Sequence, residues 1–161
     1  MPAGERMKIS DILSKDLVIP DLREADKQSV LRELVRHLSD KVTGIDRGEL
    51  LSVLLEREQL GSTGIGDGIA IPHGKLKDVK QLIAVFGKSA GGVAFDAMDG
   101  RPVHLFFLLV APENSAGVHL KALARLSRLL KRNGFRQKLM SVADAQQLYR
   151  SIIEEDESSG A

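Results

Sequence analysis

Cysteine is absent from the 161 residues, and so is tryptophan. The first absence excludes disulfides, thiol catalysis and cysteine-based metal sites, and it fits a reducing compartment. Aromatics make up only 4% of the chain, too few for the stacking platforms on which single-stranded nucleic acid lies. Neither sign of charge prevails. Lys plus Arg is 23 against 22 for Asp plus Glu, so there is no global attraction to nucleic acid or to a membrane surface. Long hydrophobic runs are missing as well. The longest strongly apolar stretch, residues 105–111, has seven members, where a transmembrane helix needs about 20. Residues 1–16 hold no apolar core of signal-peptide length. The chain is thus expected in the cytoplasm, without membrane insertion and without a nucleic-acid partner.

What remains is the composition of a globular domain, 43% hydrophobic and 28% charged, at a length that suits one core. Residues 1–7 read as a flexible leader, 8–154 as the domain, and 155–161 (EDESSGA) as a flexible acidic tail. Within the domain, helical and extended patterns alternate. Val30, Leu31, Leu34, Val35 and Leu38 recur at helical spacing over 27–42. A second helix is predicted over 47–59, with Asp46 able to cap it and Glu49 three residues later. Residues 69–71 and 82–86 read as short strands. Residues 103–110 read as a strand buried on both faces, polar only at His104. A third helix is expected over 118–132, with Leu120, Leu123, Ser127 and Leu130 inward and Lys121, Arg125, Arg128 and Arg132 outward, stopped by Asn133-Gly134. A last helix is expected over 144–154. This alternation predicts an α/β fold, a mixed sheet covered by helices on both faces in three layers.

Four histidines carry the possible chemistry, since imidazole titrates near neutrality. His37 reads as a boundary residue of its helix, and His104 as a hydrogen-bonded residue at a strand end. His73 differs. It follows the strand-like IAIP, with Pro72 helping to end sheet pairing and Gly74 permitting close backbone approach. His119 stands at the start of the third helix, where unpaired N–H groups disfavour the imidazolium and favour an anion. Arg57 falls three, four and seven residues after Leu54, Val53 and Leu50, on an apolar helix face. There its planar fork either reaches the solvent edge or aims at phosphate oxygens. The glycine-rich GSTGIGDG, 61–68, matches neither the dinucleotide fingerprint nor the P-loop. Its glycines read as turn formers, with the Ser62 and Thr63 hydroxyls and nearby backbone N–H groups at Gly64 and Gly74 available to an anion. No metal-ligand spacing and no cofactor motif is found.

The run REQLGSTGIGDGIAIPHGKLKD, 57–78, resembles the active-site signature of enzyme IIA of the bacterial phosphotransferase system. The likeness extends to FDAMDGRPVHLFFLLVAP, 95–112, and to His119. The chain resembles the mannitol/fructose-type family, and its nitrogen-regulatory branch in particular, since no permease, second phosphorylated domain or HPr module accompanies it. The resemblance implies a phosphohistidine at His73, a second histidine at His119 that stabilises the phosphoryl group, and an arginine of the same site at Arg57. It also implies an HPr-like histidine phosphocarrier as donor, and a regulatory role in nitrogen or potassium handling. Two other roles stand beside this one: a sugar-specific enzyme IIA feeding a separate permease subunit, and a binding module that is not phosphorylated. A hydrolase with His73 as base lacks a nucleophile partner.

Overall fold

The computed structural model describes residues 7–159. Two aspartates open the first two helices. Asp26 accepts from Ser29 N at 2.9 Å at the start of α1 (Lys27–Lys41), and Asp46 accepts from Glu49 N at 3.0 Å at the start of α2 (Arg47–Gln59). The five apolar residues expected on α1 are the five it buries. On α2 the buried positions are Leu50, Leu54 and Glu58. Arg57 therefore lies at the edge of the apolar face and a glutamate lies on it.

Six strands form one mixed sheet in the order β1-β5-β6-β3-β2, with β4 also on β6. They are β1 (Val18–Ile19), β2 (Gly64–Gly66), β3 (Ile69–Ala70), β4 (His73–Leu76), β5 (Ile83–Val93) and β6 (Val103–Pro112). β6 is central and buried from Leu105 to Ala111, as its apolar run predicts. Alternate side chains point to opposite faces: Phe106 packs on Phe95 at 5.3 Å between ring centroids, and Phe107 on Phe86 at 5.0 Å. The remaining helices are α3 (Ala116–Leu130), α4 (Asn133–Ser141) and α5 (Ala145–Ser159). α1 and α2 pack together over β5 and β4, while α3, α4 and α5 pack together over β6 and β1, so helices cover both faces.

The glycine-rich segment is a hairpin. β2 and β3 pair antiparallel with Gly66 opposite Ile69, leaving a two-residue connection, Asp67-Gly68, whose φ values are 59° and 78°. Left-handed φ at both positions is what a type I′ turn needs, and Asp-Gly is among the pairs that supply it.

Pro72 does not end the sheet. β3 pairs with β6 through Ile69 and Leu105, β4 through His73 and Leu109, and the register carries across unbroken. Proline removes only a donor; its carbonyl still accepts from Leu109 N at 2.9 Å. His73 thus begins a strand instead of following one.

Several other expectations need correction. Asn133-Gly134 opens α4 instead of closing α3, because Phe135 and Leu139, one turn apart, carry a further short helix into the core. The inner face of α3 is His119, Ala122, Leu126, Leu129 and Leu130, so Leu120 is left 67% exposed and Arg125 turns partly inward. The acidic tail is not free over 155–158. α5 continues, and Asp156, 2% exposed, accepts from Ile9 N at 2.9 Å and from Arg125 Nε at 2.6 Å. A carboxylate with such partners is held, whatever its neighbours in sequence suggest. Of the expected leader, Met7 packs in the core, and residues 1–6 lie outside the described residues, as do 160 and 161.

Gly74 sets the distance between α2 and the sheet. A Cβ there would stand 2.5 Å from Val53 Cγ1 and 3.6 Å from Leu54 Cδ2. Valine is stiff at χ1 in a helix, so an alanine must push α2 away. Gly74→Ala is expected to cost about 1–3 kcal/mol, read as a lowered urea midpoint; an unchanged midpoint would mean that α2 yields freely.

Candidate functional site

His73, His119 and Arg57 come from three elements and meet at one place. His73 begins β4, an edge strand paired only with β6. Its neighbour Gly74 faces α2, so the histidine lies on the opposite pleat. There His119, from the first turn of α3, meets it edge to face, with ring centroids 5.3 Å apart. Arg57 arrives from the last turn of α2. Its Nε donates to His73 Nε2 at 3.3 Å and its Nη1 to the Gly61 carbonyl at 2.8 Å. The three line a pocket of about 400 Å³ together with Val53, Lys75 and Leu120.

The tautomer of His73 follows from its second bond. Nδ1 lies 2.8 Å from the Ile71 carbonyl oxygen. An oxygen can only accept, so Nδ1 carries the proton and Nε2 keeps its lone pair. Burial pushes the pKa of His73 down; the Ile71 carbonyl opposes this and the Arg57 charge adds to it, with a smaller opposing pull from Glu58. The imidazole is therefore neutral at neutral pH, and its Nε2 lone pair accepts only from Arg57, at the pocket.

His119 is 6% exposed, and its Nε2 is buried without a hydrogen-bond partner. Among the described residues it is the one buried side-chain nitrogen or oxygen left so. A buried polar atom in that state costs free energy and calls for an explanation. Burial first, then the nearby His73 and Lys75, bring its pKa down to about 4. Desolvation, more than the helix start, is the dominant cause.

Neutral burial links His119 to stability. Its folded pKa lies below its unfolded value of about 6.5, so the unfolded chain binds more protons between the two. The stabilisation is fully present above about pH 6.5 and is lost as pH falls from there to about 4. The melting temperature is expected to drop across that interval, and to drop less in His119→Ala. Equal slopes for both proteins, measured by circular dichroism, would show that His119 is already solvated.

The glycine-rich loop contributes differently from expectation. Ser62 Oγ donates to the Phe95 carbonyl at 2.8 Å and accepts from Gly64 N at 3.0 Å. Thr63 Oγ1 donates to Glu58, which also accepts from Thr63 N at 3.0 Å. Both hydroxyls are spent on the loop's own structure, so they are not available to an anion. Gly64 allows the close approach of Ala97, whose Cα would stand 3.0 Å from a Cβ there. Of the four loop and turn residues expected to hold phosphate, only Gly74 lines the pocket.

Two groups escaped the sequence reasoning. Glu58 is 8% exposed and pairs with Lys27 Nζ at 2.9 Å; Lys27 also lies over the Phe95 ring, 4.8 Å from its centroid. This pair ties α1, the end of α2 and the 61–64 loop together, which fixes the carbonyl that holds Arg57. The signal for it was faint: Glu58 follows Leu54 by four residues, as Leu54 follows Leu50. Lys75, next to Gly74, adds a mobile cation at the pocket wall. The remaining histidines are accounted for. His104 Nδ1 donates to the Ser89 carbonyl at 2.8 Å, and His37 Nε2 donates to the Asp16 carbonyl at 2.8 Å.

Comparison with known proteins is consistent along the chain. Residues 11–155 match the profile of a family described as phosphoenolpyruvate-dependent sugar phosphotransferase system, EIIA 2. A nitrogen regulatory protein of Bradyrhizobium diazoefficiens is 41% identical over 143 residues, covering 89% of this chain and 93% of the relative. The fructose-specific EIIABC component of Bacillus subtilis is 37% identical over 150 residues, covering 93% of this chain and 24% of that protein. The crystal structure of nitrogen regulatory protein IIA-Ntr from Neisseria meningitidis superposes with a TM-score of 0.83 at 35% identity, covering 89% of this chain and 98% of that one. Among the described residues, no helix is long and apolar enough to cross a membrane.

Proposed function

This chain belongs to the EIIA 2 family of the phosphoenolpyruvate-dependent sugar phosphotransferase system, and from that premise we propose that it is a phosphocarrier whose His73 Nε2 takes a phosphoryl group from a histidine-phosphorylated, HPr-like protein. The observation that carries the proposal is a pair of nitrogens. His73 Nε2 is left with its lone pair by the Ile71 bond, and His119 Nε2 is buried beside it with no partner.

The chemistry follows from these positions. The donor's N–P bond breaks as a bond forms between phosphorus and His73 Nε2, in line. The donor imidazole leaves with the electron pair of the broken bond. The proton on His73 Nδ1 stays in place, and the Ile71 carbonyl stabilises the positive charge that the ring acquires. Little covalent work is asked of the protein, because the charge of a loose transition state lies on three oxygens. Arg57 turns its guanidinium from Nε2 to those oxygens while Gly61 holds its far end. His119 Nε2–H donates to another oxygen and thereby gains the partner it lacks. Preorganised donors of this kind in a partly dry pocket stabilise the charge strongly. Leu120, in the pocket lining, is 67% exposed, and Leu60 and Val118, adjacent in sequence to Gly61 and His119, are 85% and 40% exposed, apolar surface suited to a protein donor more than to a soluble metabolite.

A regulatory role is the favoured reading, since nitrogen regulatory proteins match this chain over more than nine tenths of the Bradyrhizobium relative. Delivery to a sugar-specific acceptor is the second, supported by the fructose-specific relative. Incubation with phosphoenolpyruvate, enzyme I and an HPr-type carrier, followed by intact mass measurement without acid, tests the proposal. A gain of one acid-labile phosphoryl group supports it. Onward transfer to a fructose-type acceptor domain would select the sugar-specific reading. No gain, with the carrier shown active on a known acceptor, would leave a binding module.

A further inference from the structure

The far end of β6 carries a second cavity that phosphoryl transfer at His73 does not use. It measures about 610 Å³ and is lined by Asp67, Arg101, His104, Arg136 and Gln137, among others. His104 begins β6, whereas His73 pairs with Leu109 on the same strand. Five residues of strand separate the two places by about 17 Å.

The imidazole of His104 is set as that of His73 is. Nδ1 donates to a backbone carbonyl, that of Ser89 at 2.8 Å, so Nε2 keeps its lone pair. The ring is held close between two glycines with left-handed φ. A Cβ on Gly68 would stand 3.7 Å from its Cδ2, and one on Gly92 would stand 3.0 Å from its Cε1. Any larger residue on the Gly92 side would displace it.

Each wall of the cavity is fixed by a polar tie. Asp99 accepts from Asp67 N at 3.1 Å and from Arg101 N at 3.0 Å, which joins the hairpin turn to the loop before β6. Arg136 Nη1 donates to the Leu130 carbonyl at 2.8 Å and Nη2 to Asn133 Oδ1 at 3.4 Å, which orients its guanidinium. Lys88, 6% exposed, donates to the Met140 and Val142 carbonyls at 2.8 and 2.6 Å, which clamps the end of α4 to the sheet. Among the described residues the Arg101 side chain makes no ion pair within 4 Å, although Asp67 shares the cavity with it. The backbone N–H groups of Arg101 and Asp67, and more weakly the Arg101 charge, hold the Asp99 carboxyl below the usual range. Two guanidinium groups, a histidine and an amide stand on rigid walls beside two carboxylates, Asp67 and Asp99, of which Asp99 already accepts two backbone N–H bonds.

We infer that this cavity binds a small phosphomonoester, with Arg101 and Arg136 on the phosphate oxygens and His104 Nε2 and Gln137 on the remaining polar atoms. The planar fork of arginine matches such oxygens in pairs, and the volume is of the order found for small-ligand sites, about 300–1,000 Å³. The site is separate from the phosphorylation pocket and does not depend on the function proposed for it.

The four histidines allow a direct test by ring ¹⁵N–¹H correlation spectra of the full chain titrated with glycerol 3-phosphate. The expected result is saturable movement of the His104 signals, with affinity of about 1 mM or tighter. Arg101→Ala, an exposed position away from the phosphorylation pocket, is expected to weaken binding about tenfold with the melting temperature unchanged. Movement confined to His73 and His119 would overturn the inference. So would an Arg101→Ala titration identical to that of the unaltered chain, or an equal shift produced by sodium chloride at matched ionic strength.

Discussion

Replacing His73 by alanine is expected to abolish phosphorylation completely while leaving the melting temperature within a few degrees. The completeness follows from the other three histidines. His119 Nε2 is buried, in a ring packed edge to face with His73, so a donor's phosphorus cannot reach it in line. His37 gives its Nε2 to the Asp16 carbonyl, and His104 lies at the other end of β6, away from Arg57. The mild effect on stability follows from the edge position of β4. His73 is only half-buried, and the backbone register with Leu109 does not depend on the side chain. A phosphorylated His73→Ala protein, seen by intact mass, would move the site to another residue.

Replacing His119 by alanine is expected to slow phosphoryl transfer to His73 by about 10²–10³-fold, the loss found when one preorganised donor to a developing oxyanion is removed. His119 Nε2 reaches no donor or acceptor of the protein, so it contributes no hydrogen bond to the resting fold. What it can contribute is a bond formed when phosphoryl oxygens arrive. The variant should therefore still be phosphorylated, slowly, and should hold the phosphoryl group less well against hydrolysis. Rapid-quench measurement of the transfer rate decides this. A rate within threefold of the original would make His119 a packing residue, and total loss would make it the acceptor.

Legibility of the sequence varied with the physical origin of each feature. Elements whose signals are local were readable. The apolar spacing of α1, the capping aspartate of α2 and the continuous apolar run of β6 all describe what the structure contains. His73 stood out beside proline and glycine, Arg57 as a cation on an apolar helix face, and His119 by its place at a helix start; the structure brings these three together. Features that depend on distant partners were not readable. Asp156 sits in an acidic tail by composition, yet Arg125 and Ile9 bury it. Ser62 and Thr63 look like free donors until Phe95 and Glu58 are seen to take them. Pro72 reads as a terminator because its missing donor is visible in the sequence, whereas the Leu109 bond to its carbonyl is not. Asn133-Gly134 is ambiguous between a stop and a start, and the choice is made two residues later by Phe135 entering the core.

The central claim is that the phosphoryl group resides on Nε2 of His73 while Nδ1 keeps its proton to the Ile71 carbonyl. Ring ¹⁵N spectra of the chain after reaction with phosphoenolpyruvate, enzyme I and an HPr-type carrier test it most directly. The expected spectrum has ³¹P coupling on Nε2 of His73, and an Nδ1–H signal that persists. Phosphorus on Nδ1, or on any other histidine, would contradict the account.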